Sequence, residues 1–356
     1  MSTSIFDRVV RAIEEDEEQK FTKLIESSLQ LVLQQHPDSQ YTLLHYAAKY
    51  NRVAMAEQLI NAGVPLDLYP SKNYMPEHKG AGSGTWTALC QALNAQSMET
   101  AKLIASYKIT PKNLWVAVGL GRWDLVLSFF NPEGTLKDNA GDPGKLQSKQ
   151  DILNDCFCMA CHTGRVDMIN FLLDKGADIN GLDHWGMTGL HWTIQCQPEL
   201  SRYLIDQGAD VRIRDAQHVA TQLSWALYFG HKQLADYMID NCSIDIVDAI
   251  NLDKNDMVEK LLAQDPVLVD GPLGLGEPLR MAAKKGNEAI IDILLASGAN
   301  HKIYEVKIGM FEPQELEFTA LQWAKKTAIP KLPENCSKQV LKGNAIIPMN
   351  HSRQIT

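Results

Sequence analysis

The chain has 356 residues, of which 45% are hydrophobic and 22% charged, a globular composition that excludes a disordered chain, a collagen and a disulfide miniprotein. The formal net charge of −9 argues against wholesale binding to nucleic acid or to an anionic membrane. Seven cysteines are too sparse, and odd in number, for a disulfide framework, so a reducing, cytoplasmic compartment is expected.

The segment Met1–Arg11 lacks the uninterrupted apolar core of a secretory signal. The longest nearly apolar runs, such as Leu114–Leu120, fall far short of the roughly 20 residues needed to cross a bilayer. Ile5–Ser27 reads as a helix pair with the acidic run Glu14–Glu18 between its helices, a solvated capping face. A line then recurs along the chain. It appears as Thr42-Leu43-Leu44-His45-Tyr46-Ala47-Ala48, Thr188-Gly189-Leu190-His191-Trp192 and Thr221-Gln222-Leu223-Ser224-Trp225-Ala226. It returns as Glu277-Pro278-Leu279-Arg280-Met281-Ala282-Ala283 and Thr319-Ala320-Leu321-Gln322-Trp323-Ala324. All but the last are followed by an apolar pair (Leu59-Ile60, Leu204-Ile205, Met238-Ile239, Leu294-Leu295), and Gly-Ala-Asp/Asn then recurs at Gly176, Gly208 and Gly298. Thr can cap a first helix, and Gly can end a second in left-handed geometry.

These residues resemble the ankyrin repeat. The resemblance covers roughly Val9 to Thr327 and implies an all-α solenoid of helix pairs with short β-hairpin fingers. Aligned anchors fall at Val9, Leu44, Leu89, Leu114, Phe157, Leu190, Leu223, Ile246, Leu279 and Leu321. About ten helix pairs follow, the outermost serving as caps. Residues 1–40 are the expected N-terminal cap, 41–327 the array, and 328–356 a C-terminal cap helix with a flexible tail. The short spacings Leu89 to Leu114 and Leu223 to Ile246 leave no room for a finger and predict bare turns. Three long spacings predict inserted loops at 68–84, 131–149 and 301–318 (the last a lengthened hairpin).

In the ankyrin pattern, the residue after the His position of the first helix points into the concave groove. That column reads Tyr46, Gln91, Val116, Met159, Trp192, Trp225, Asp248, Met281 and Trp323. Solvated grooves do not usually collect tryptophan, and aromatic rings are enriched at binding hot spots. Tyr46, Trp192, Trp225 and Trp323 are therefore candidate partner-binding residues, with Tyr228 and Phe229 in the following turn and Trp185 and Met187 at a finger tip. The competing reading is that these rings complete the core. Lys284, Lys285, Lys325 and Lys326 could attract an acidic ligand or serve solubility alone.

Catalytic motifs are weak. Cys156-Phe157-Cys158-Met159-Ala160-Cys161-His162 is the densest metal-like cluster, but it lies on one predicted helix and cannot converge tetrahedrally. Cys158 takes the repeat's His position, so small core cysteines are the better reading. His45 and His191 occupy that position in their own units, where the resemblance implies that they brace the inter-unit turn. Cys196 is the expected accessible thiol. The glycine-rich segments Gly80–Gly84 and Gly141–Lys145 lack the Lys-Ser/Thr of a phosphate loop. No cofactor or metal is expected.

What the resemblance implies is a non-catalytic module that binds a protein or peptide through groove and fingers. Irregular arrays of this kind occur in eukaryotic adaptors and in effectors that intracellular bacteria deliver into host cells, and both stay open here. The alternative is an enzyme or regulator whose active site combines an inserted loop with groove residues.

Overall fold

A computed structural model describes residues 4–68, 87–107, 113–141, 147–271 and 276–300. The regular structure there is helical, and extended pairing is confined to isolated antiparallel bridges. The chain divides into two compact units, Met1–Leu234 and Ala235–Thr356.

In the first unit the pairs are α1 and α2 (Ile5–Glu14, Glu18–Ser27), α3 and α4 (Leu43–Lys49, Val53–Asn61), and α5 and α6 (Ala88–Asn94, Met98–Ser106). They continue as α7 and α8 (Leu114–Leu120, Trp123–Ser128), α9 and α10 (Lys149–His162, Val166–Asp174), and α11 and α12 (Gly189–Cys196, Pro198–Asp206). Then come α13 (Gln222–Tyr228) and α14 (Lys232–Asn241), the latter holding the division between units. First helices pack on first helices, α3 on α5, α7 on α9, α9 on α11 and α11 on α13. The second unit repeats the scheme with α15 and α16 (Ile246–Asn251, Asn255–Gln264) and α17 and α18 (Glu277–Lys285, Glu288–Ala296), α15 on α17 and α16 on α18. The tenth pair expected around Leu321, the loop 301–318 and Trp323 lie outside the described residues, as does nearly all of the loop 68–84.

Local chemistry explains the repeat. Thr87, Thr188 and Thr221 cap their helices, each hydroxyl accepting from the backbone N–H three residues on at 3.3, 3.4 and 3.2 Å. Four second helices, α4, α10, α12 and α18, give way to a glycine in the left-handed region, with φ of 89° at Gly63, 95° at Gly176, 98° at Gly208 and 91° at Gly298. Small alanines and paired aliphatics, such as Ala47, Ala48, Leu59, Leu172 and Leu204, are fully buried. The core is thereby spread over successive interfaces between pairs. The fingers are single bridges rather than strands: Gln35 with Thr42, Phe130 with Leu136, Leu182 with Thr188, and Arg214 with Thr221.

The bare turn before Ile246 is as expected, with Asp245 capping α15 by accepting from Val247 N at 2.7 Å. The turn before Leu114 is only partly described, because 108–112 lie outside. The loop 131–149 ends differently from expectation. Ser148 forms a capping box with Asp151, and α9 starts at Lys149 and runs 14 residues, where α3, α5, α7 and α13 have 7. Asp155 sits where other units have the capping threonine. The helix runs straight through that point, so no cap is needed, and the unit reads as degenerate.

At the N-terminal pair the acidic turn is tied down by the next one. Arg52 donates to Ile13 O and Glu14 O, both at 2.8 Å, and pairs with Asp16 at 3.1 Å. In the second unit Lys285 does the same, donating to Ile250 O, Asn251 O and Asp253. Lys285 is therefore a helix-end clamp, a role beyond the ligand-attracting and solubilising readings of its sequence position.

Candidate functional site

The groove column is not uniform. Tyr46, Trp192, Trp225 and Met281 are half-buried, whereas Gln91, Val116, Met159 and Asp248 are buried. The buried members correct the expectation that the whole column faces outward. Two of them flank the short junction around α7. A Cβ on Gly119 would come within 2.9 Å of Leu93 and 3.3 Å of the Met159 sulfur, so neighbouring first helices close over this stretch.

The two adjacent tryptophans are held in the same way, each by a finger carboxylate. Asp183 Oδ2 accepts from Trp192 Nε1 at 2.7 Å, and its Oδ1 accepts from the backbone N–H of Trp185 and of Met187, both at 2.9 Å. Asp215 Oδ2 accepts from Trp225 Nε1 at 3.0 Å and from Ala220 N at 3.1 Å. Its Oδ1 accepts from Gln217 N at 2.9 Å and His218 N at 2.6 Å. Each carboxylate organises a finger and fixes an indole on the following helix. The recurrence of Asp shortly before the Thr of both units was the signal for this role, and sequence reasoning missed it.

The local electrostatics differ. Burial pushes the Asp183 carboxyl up to about 6, against the opposing pull of His184 and the hydrogen bonds, while Asp155 adds to the rise. Burial acts on Asp215 too, but there the bonds from His218, Trp225 and Ala220, with His191 close by, outweigh it and hold the carboxyl below its ordinary value.

Beyond Trp225 the rings continue outward. Phe229 lies 5.5 Å from Trp225 and 5.2 Å from Tyr228, centroid to centroid. Tyr228 is 85% exposed, Phe229 38% and Leu227 45%. Trp185 is half-buried with its ring against His184 at 5.2 Å. Met187, expected at the finger tip, is only 3% exposed; its backbone closes the finger on Asp183 and its carbonyl faces the Cys158 thiol at 3.6 Å. It is a core residue, which corrects its assignment as a contact. Tyr46 stands apart, its hydroxyl 2.8 Å from Ser39 Oγ and its ring edge-on to Tyr41.

The His position does the bracing expected of it. His191 Nδ1 lies 2.9 Å from Thr188 Oγ1 and accepts from Thr188 N, while Nε2 reaches Ala220 O of the next unit at 3.3 Å. Comparison with known families agrees with this geometry. A model of the ankyrin repeat matches residues 39–68, and a model of three ankyrin copies matches 139–215 and 157–248. The chain is an ankyrin-repeat protein. It is also 26% identical over 122 residues to a palmitoyltransferase of Lachancea kluyveri, a match that covers 33% of this chain and spans only 16% of that relative. Ankyrin repeats imply protein–protein interaction. Among the described residues no helix is long and apolar enough to cross a membrane.

The cysteines of this ankyrin array are placed by its packing. Cys156, Cys158 and Cys161 are buried, and burial drives the thiols of Cys158 and Cys161 well up. No group of three or more His, Cys, Asp or Glu among the described residues could hold a metal ion. Cys196 is half-buried, and its sulfur lies 3.6 Å from His162 Nδ1. His162 Nε2 donates to Asn94 O at 3.0 Å, which leaves Nδ1 as the acceptor of the thiol proton. Burial raises Cys196 to about 11 and lowers His162. The pair is thus neutral at physiological pH, a thiol hydrogen-bonded to an imidazole, without the thiolate that nucleophilic chemistry needs.

Proposed function

We propose that the chain is a non-catalytic interaction module, with residues 1–40 capping an array over 41–327. A protein or peptide segment is seated along the fifth to seventh pairs by Trp192, Trp225, Tyr228 and Phe229, with Trp185 at the finger and Tyr46 and Trp323 as outlying contacts. Nucleic acid is not the partner in this reading. The observation that carries it is the outward-running aromatic group ending in Tyr228, at 85% exposure beside Phe229 and Leu227. An aromatic group left in water at the edge of a pre-oriented pair of indoles is the kind of surface on which binding energy concentrates.

The test is partner capture by the double variant Tyr228→Ala/Phe229→Ala. Neither ring is buried, so the melt should stay within about 0.5 kcal/mol of wild type while retention falls at least tenfold. Unchanged retention sinks the reading. Trp192→Ala and Trp225→Ala are poorer probes, because each strips a donor from a finger carboxylate.

The similarity to part of a palmitoyltransferase favours one second reading, an acyl-transferring enzyme. Cys196 with His162 is its only candidate centre among the described residues. An acyl-thioester on Cys196 after incubation of the purified chain with an acyl-CoA would establish it. Delivery into a host cell as an effector is a finer form of the first reading, tested by a translocation reporter fused to the chain.

A further inference from the structure

At the finger 183–187 the carboxylate that holds the Trp192 indole lies beside an imidazole, which faces a second carboxylate on α9. Asp155, carried by the long α9, accepts from His184 N at 2.7 Å and faces His184 Nδ1 at 3.2 Å. Its other oxygen accepts from Gln147 Nε2 at 3.2 Å. His184 is the finger residue next to Asp183, whose carboxylate holds Trp192 Nε1. Among the described residues, further titratable groups facing the cluster include Cys158 on α9, within electrostatic reach of both carboxylates, and His162, also on α9, edge-on to the Trp192 ring at 4.6 Å. On α11, His191 is turned toward Thr188 and the next finger. Trp115 of α7 lies edge-on to His184 at 6.4 Å and brings no charge.

We propose that the Asp155–His184–Asp183 cluster is a proton-operated latch on Trp192. At neutral pH the ionised Asp183 carboxylate holds the indole N–H in a charge-assisted hydrogen bond. In mildly acidic solution the carboxyl takes up a proton, the bond loses its charge assistance, and the Trp192 ring loosens. The elevated Asp183 value, about 6, puts this change within a physiological range. The neighbouring joint is the built-in control, since Asp215 makes the same bond to Trp225 with its carboxyl held below the ordinary value. The latch is a property of the free chain. Its consequence, weaker partner binding at acid pH, rests on the interaction reading above.

The experiment follows the indole N–H signals of the isotope-labelled full chain from about pH 7.5 to about pH 5, assigned with Trp192→Phe and Trp225→Phe. The Trp192 signal is expected to shift with a midpoint near 6 while Trp225 stays in place. Asp155→Asn removes the neighbouring charge and should move the midpoint to lower pH; Asp183→Asn should abolish the step. A Trp192 signal that does not titrate, that moves together with Trp225, or that titrates unchanged in Asp155→Asn overturns the latch. If the latch titrates as described and a captured partner is held equally at both ends of the range, the latch stands and the seat on Trp192 does not.

Discussion

The Asp183 and Asp215 fingers differ by one residue, and their carboxyls are shifted in opposite directions. From Asp183 to Thr188 the chain turns through Gly186 at φ 71°; from Asp215 to Thr221 it has one residue more and turns through Val219 at φ 54°. In the longer finger His218 N is the additional donor to the carboxylate, Ala220 N being the counterpart of Met187 N, and its aspartate is held below its ordinary value. The shorter finger packs against the extended α9, whose Asp155 faces His184, and its aspartate is pushed the other way, chiefly by burial.

The largest break in this comparison should come from Gly186→Ala. Gly186 has left-handed geometry, and a Cβ there would lie 2.3 Å from the Cβ of Ala216, whose N–H donates to Gly186 O at 3.0 Å. Backbone strain and overpacking add to about 3 kcal/mol lost, measured by denaturant unfolding. Ala216→Gly in the same chain should restore part of it.

Next come the carboxylates themselves. Asp215→Ala should cost about 2–3 kcal/mol near neutral pH through lost charge-assisted bonds, and Asp183→Ala about 1 kcal/mol less. The signs of their pH dependence are opposite. The depressed Asp215 contributes stability above its unfolded value, lost as pH falls through its lower folded value. The raised Asp183 contributes below its unfolded value, and that contribution is lost as pH rises through about 6. The gap between the two variants should therefore widen from acid to neutral pH in paired melts.

His191 adds an effect shared by both fingers. Burial lowers it to about 4, so its contribution is complete above the ordinary histidine value and fades as pH falls from there toward 4. His191→Gln should flatten that acid limb. The smallest effect is a gain: Val219→Gly removes a β-branched side chain from the left-handed region and should stabilise by about 1 kcal/mol.

Much of the fold was legible because it is local. The Thr caps at 188 and 221, the glycines at 176, 208 and 298, and the spacings between units need only neighbours in sequence to be understood. The site was legible in part. Tyr228 and Phe229 stand exposed, but Met187 is buried, its backbone closing the finger on Asp183 and its carbonyl facing the Cys158 thiol. Val116 and Met159 are buried where the neighbouring first helices close over Gly119 of α7. Those outcomes depend on contacts with other units, which a column of equivalent positions does not carry. The tie from each Trp to a finger carboxylate shows in the sequence only as an aspartate recurring shortly before the capping threonine, at Asp183 and Asp215.

The most direct test of the interaction surface is equilibrium binding of a captured partner to wild type and to Tyr228→Ala/Phe229→Ala, with the melt of each chain recorded in the same buffer. A loss of at least tenfold in affinity with an unshifted melt is the predicted result. Equal affinities with an unshifted melt would contradict it and place the partner elsewhere on the array.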